Sequence, residues 1–187
     1  MAIHVAASTT GGAVAGALLG AAGGLLLGWL PEAAGWGVLL GLSILLTLRE
    51  HGWIRFPVPQ WRRQTGASWY RRFGPLWTAW WWGLDLGSGL TNFITFSGYW
   101  VLVVAIVLHG NSTLGALVLG AYGMGRALAL LAGPLLLQWQ LQCAARHLDE
   151  YMLYRPTMHR WHRYGMVLLV LTLLASAVLW REGGTLR

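Results

Sequence analysis

Two ionisable side chains, Asp85 and Arg126, stand inside long apolar stretches of this sequence. A charge at the centre of a bilayer costs about 3 kcal/mol or more unless it is paired or wetted, so such residues mark either a path for a substrate or proton or a pair that fixes helix register. Thr91, Asn92, Thr95 and Tyr122 lie near them in the sequence and would line the same intramembrane polar centre. A carboxylate and a guanidinium there could steer charge, while hydroxyls and an amide could hold water. The competing reading is an ion pair with a purely structural task.

Other groups are weaker candidates. His147, Asp149, Glu150, His159 and His162 share one basic segment. A metal site needs three or four ligands converging from defined spacings, and a His-x-x-His pair supplies two, so no metal is expected. His4 and His109 fall near the ends of apolar runs, where a haem ligand would suit, but no second intramembrane histidine is available to pair with either. The run Trp77, Trp80, Trp81, Trp82 reads as an interfacial anchor rather than a stack for a cofactor, and no cofactor is expected. The absence of lysine rules out a P-loop; His-Glu-x-x-His and Gly-x-Ser-x-Gly are also missing, and Gly87-Ser-Gly89 lacks the third glycine of a dinucleotide site. The lone cysteine, Cys143, excludes a disulfide or paired-thiol cycle within one chain. No catalytic residue is identified, and the balance is against an enzyme.

The elements that must hold these residues follow from composition. Of 187 residues 56% are hydrophobic and 10% charged, with mean hydropathy +0.54, where an ordinary soluble domain carries roughly 25% charged residues. Several apolar stretches exceed the ~18 residues that cross a hydrocarbon core. The reading is an all-α polytopic membrane protein, one membrane domain over 1–187, with about five spans at 11–30, 33–48, 77–109, 113–137 and 165–180. No basic residue precedes the first apolar run, so it is read as a retained helix rather than a signal peptide. Its glycines recur every fourth residue, at Gly12, Gly16, Gly20, Gly24 and Gly28, drawing a bare ridge of the GxxxG kind on which a neighbouring backbone can lie. The stretch 77–109 is 33 residues, about 50 Å as one straight helix, and is expected to break within 83–89, where glycines surround Asp85.

The net charge of +7 comes from arginine alone. The arginines concentrate in segments 49–76 and 138–164, which follow spans two and four, while the turns around Glu32 and Asn111 contain none. By the positive-inside rule both basic segments and the N-terminus are cytoplasmic and the C-terminus external. Residues 60–73, rich in arginine and aromatics, are expected to form a short interfacial helix. Anionic lipids are the expected partners of the basic segments, with nucleic acid excluded by the flanking apolar spans.

The motifs Gln60-Trp-Arg-Arg-Gln64, Trp82-Gly-Leu-Asp-Leu-Gly-Ser-Gly89 and Gly120-Ala-Tyr-Gly-Met-Gly-Arg126 resemble parts of the CcdA/DsbD-type transmembrane proteins, which pass reducing equivalents across bacterial membranes. The resemblance covers less than half the chain and consists mostly of glycine spacing. It implies a small helical bundle with broken helices in a bacterial inner membrane. The family's intramembrane cysteine pair is missing, so no functional residue carries over. Two functions remain open: a transporter-like or reductant-transfer protein with a polar centre, and a non-catalytic subunit of a membrane assembly or homo-oligomer.

Overall fold

The computed structural model describes residues 2–58, 68–89, 97–138 and 144–184. Among them the chain is all-α, with helices α1 (Ala2–Leu27), α2 (Glu32–Glu50), α3 (Ser68–Ser88), α4 (Gly98–His109), α5 (Ser112–Gln138) and α6 (Ala144–Gly184), and no strand. Among the described residues three stretches are long and apolar enough to cross a membrane: Ala2–Leu27, Glu32–Glu50 and His159–Val178. Gly98–His109 is apolar but spans only about 18 Å, short of a hydrocarbon core of roughly 30 Å. The apolar window of α6, His159–Val178, overlaps the expected span 165–180, and α6 itself is helical through most of the second basic segment.

In the third stretch the helix ends inside the expected 83–89, at its last glycine. Gly83 and Gly87 are helical, and α3 stops at Gly89, whose φ of 65° is open to glycine but strained for other residues. The chain is helical again from Gly98. Gly83 and Gly87 serve close approach instead of breakage: a β-carbon on Gly83 would crowd Ala7 and the His4 carbonyl, and one on Gly87 would land on the carbonyl of Ser8. At the other end of α3, Gly74 leaves helical geometry just before Pro75, which cannot donate a backbone hydrogen bond. Only the part of the expected interfacial helix from Ser68 onward is described.

The chain divides into two compact units. The first holds α1, α3, α5 and residues 106–109 of α4, with α1 packed chiefly on α5 and then on α3. The buried face of α1 is made of small groups, His4 apart: Ala7, Ser8, Gly11, Gly12, Ala15, Gly16, Gly20 and Gly23. Its large side chains, Val14, Leu18, Leu25 and Leu26, point outward. That distribution inverts a soluble amphipathic helix and suits a lipid solvent, where helices associate by close backbone contact. A β-carbon at Gly12 would fall on the Leu119 carbonyl, at Gly16 on that of Gly115, at Gly20 on that of Asn111, and at Gly24 on that of Gly110. Gly28 lies past the end of α1 and would meet only the Gly24 carbonyl of its own chain segment. The hydroxyls of Thr9 and Thr10 bond back to the Val5 and Ala6 carbonyls, which satisfies them without water.

The second unit holds α2, residues 98–105 of α4, and α6. Leu46, Val101 and Met166 are its buried centre, ringed by Leu39, Leu42, Phe56, Val58, Trp100 and Leu169. Val38, Ile44 and Leu45 of α2, and Leu168, Leu171 and Val178 of α6, are exposed. Apolar faces of that extent are what a bilayer covers. The end of α2 is turned by Gly52, at φ 82°, with the Gly52 amide bonded to the Arg49 carbonyl and the Trp53 amide to that of Leu48.

Candidate functional site

In the first unit the polar groups gather where α3 ends. Arg126, on α5, donates from Nη1 to the Leu86 carbonyl at 3.0 Å, and its guanidinium lies 5.7 Å from the centroid of the Tyr122 ring one turn earlier. Leu86 is in the last turn of α3, where carbonyls have no partner within the helix and the macrodipole is negative. A buried helix end of that kind needs a donor, and a cation is the strongest available. Leu86, Gly87 and Gly89 are all buried, so water is a poor substitute. Asp85, half-buried, is the residue immediately before Leu86, and the Ser88 hydroxyl donates to the Asp85 carbonyl at 3.0 Å. The fold thus brings Arg126 and Tyr122 to the turn that carries Asp85. Thr91, Asn92 and Thr95 lie outside the described residues.

Two further polar residues on α1, both buried, extend this centre. The Ser8 hydroxyl donates to the Gly123 carbonyl at 2.8 Å, tying α1 to α5. His4 places Nδ1 3.2 Å from the Ala79 carbonyl and its ring 4.9 Å from that of Trp82, tying α1 to α3. A carbonyl only accepts, so Nδ1 is the donor, while Nε2 is buried with no hydrogen-bond partner among the described residues. Neither residue was singled out for this centre, because the first span was read as starting at Gly11. The signal was nonetheless present: the four-residue register of Gly12, Gly16, Gly20 and Gly24, continued backwards, passes through Ser8 and His4.

The second unit contains a polar cluster that no spacing announced. Arg49 donates from Nε to the Phe56 carbonyl at 3.1 Å, and from Nη1 to Ser97 Oγ at 3.0 Å and Glu50 Oε1 at 3.2 Å. The Ser97 hydroxyl donates to the same Glu50 oxygen, and His162 Nε2 stands 4.0 Å from it. Glu50 is therefore bonded by its neighbour Arg49 and by Ser97, just before α4, and is approached by His162 of α6. Its only mark in the sequence is to be the single acid among the six arginines of 49–76. Among the described residues no group of three or more His, Cys, Asp and Glu side chains is placed to hold a metal ion.

No family model, curated protein or solved structure matches this chain.

Proposed function

We propose that this membrane protein is transporter-like, or related to transmembrane reductant transfer, and works through the polar centre of its first unit. The observation that carries the reading is a guanidinium on an otherwise apolar helix, spent on the carbonyl end of α3, which stops inside an apolar stretch. Broken helices whose ends project charge and dipole into the bilayer are the usual way small transporters build a midplane site. Arg126 would steer anionic groups, Asp85 would hold or exchange a proton, and Tyr122 would line the path. Three crossings would be provided by α1, α2 and α6, and the five-crossing reading adds the apolar stretches 77–109 and 113–137. The resemblance to CcdA/DsbD-type proteins agrees with a small bundle containing a broken helix, although the missing cysteine pair argues against a thiol relay.

The hydrogen bond from Arg126 to Leu86 also favours a second reading, in which the charge is a helix cap and the chain is a non-catalytic subunit of a larger membrane assembly. Solvent access separates the two. In a Cys143→Ser background, Ser88→Cys should react with a membrane-impermeant maleimide in intact membrane vesicles if the centre opens to water. Complete protection, with labelling recovered after denaturation, would favour the structural subunit.

The arginine asymmetry supports a bacterial inner-membrane location with the N-terminus and both basic segments cytoplasmic. Reporter fusions after Gln64 and after His159 should then give the same, cytoplasmic, signal. Opposite signals would exclude the five-crossing topology.

A further inference from the structure

At the end of α2 the chain reverses through Gly52 and returns Phe56 to Arg49, enclosing an open depression of ≈ 540 Å³. We propose that this depression holds the phosphate of an anionic phospholipid headgroup, with Arg49 and Arg55 as its ligands. The inference rests on the membrane reading of the chain, since it places the depression at the boundary of the candidate span Glu32–Glu50, at headgroup depth.

The guanidinium of Arg49 is already oriented before any ligand arrives. Its Nε is fixed by the Phe56 carbonyl, its Nη1 by Ser97 and Glu50, and its plane stands 5.7 Å from the Phe56 ring. With Nε and Nη1 engaged, Nη2 is the nitrogen left to donate to a phosphate oxygen, and a guanidinium already held in place loses little freedom in doing so. Arg55 lines the same depression, is exposed, and forms no ion pair with a described residue. Glu50 also borders it, but its Oε1 is engaged by Arg49 and the Ser97 hydroxyl. Two guanidiniums against one carboxylate leave a net positive site.

The remaining lining decides between a lipid and a free anion. Ile54, Phe56 and Pro57 form apolar walls beside the two arginines, and exposed Trp53 follows Gly52 on the turn. A free phosphate gains nothing from apolar walls, whereas a phospholipid presents its phosphate together with a glycerol backbone and acyl stems.

The test uses the full chain, purified in a neutral detergent and incubated with equal amounts of phosphatidylglycerol and phosphatidylcholine at constant ionic strength. Lipid retained after washing is then quantified by native mass spectrometry. The wild-type protein should retain phosphatidylglycerol about fivefold over phosphatidylcholine, the preference expected of one basic residue acting at a membrane surface. Arg55→Gln should abolish the preference and Arg55→Lys should keep part of it, with the thermal midpoint unchanged because Arg55 is outside the packed core. Equal enrichment in wild type and Arg55→Gln would overturn the site while leaving the membrane reading intact. Displacement of the lipid by excess inorganic phosphate would show a free-anion site instead. A chain that stays soluble and monodisperse without detergent would remove the membrane reading itself.

Discussion

Gly16→Leu should prevent α1 from seating on α5 and cost the folded protein about 3 kcal/mol or more. The reason is geometric. A β-carbon at Gly16 would fall on the Gly115 carbonyl, and Gly115 in turn faces the Gly16 carbonyl, so the two backbones touch reciprocally with no flexible side chain between them to give way. The helices would have to move apart, and contacts all along the ridge depend on the same separation. Gly41→Leu on α2 and Gly125→Leu on α5 are the controls, because a β-carbon at either meets nothing within 4 Å. Leu26→Ala, at a side chain 69% exposed, should also be mild. Thermal midpoints of the detergent-solubilised variants measure the effect. A Gly16→Leu protein as stable as Gly41→Leu would show that α1 and α5 do not pack in this way.

Arg126→Gln should destabilise the first unit by about 2–4 kcal/mol, because it removes the charged donor from a buried helix end. The Leu86 carbonyl would lose its partner, the macrodipole of α3 its counter-charge, and the Tyr122 ring its cation. Arg126→Lys should recover part of the loss, since an ammonium supplies the charge but not the same planar reach. Asp85 adds a second test. If its carboxylate and Arg126 are electrostatic partners across α3 and α5, Asp85→Asn should be harmful alone, and the double substitution should cost less than the two single losses added. Strict additivity would separate the residues, leaving Arg126 as the cap of α3 and Asp85 with an independent role. A transport function predicts more: Asp85→Asn would then reduce activity even where the protein remains folded.

The ends of the helices were the least legible part of the fold. The start of α5 is set locally, because Asn111 supplies a cap, its Oδ1 accepting from the Leu114 amide at 3.0 Å. The first and last expected spans begin at 11 and 165, whereas α1 is helical from Ala2 and α6 from Ala144, because hydropathy marks where apolar residues begin and not where a helix does. Gly83 and Gly87 looked like breakers beside Asp85, since glycine is unfavourable in an isolated helix. Their neighbours on α1 reverse that meaning, the gain from close backbone contact exceeding the local propensity.

What the sequence by itself determined is the solvent and the secondary-structure class. Apolar length and scarce charge point to a bilayer rather than water around the helices, and the glycine register of α1 marks a face on which backbone can lie against backbone. Those are properties of one segment at a time, so one dimension suffices to read them. Tertiary structure alone decided which groups meet. Arg126 finds the end of α3 forty residues away, Ser8 finds the Gly123 carbonyl, and Glu50 is held by Ser97 and approached by His162. In a medium that offers little water, each buried polar atom must take whatever donor or acceptor the packing brings to it, and which one that is depends on how helices distant in sequence are placed.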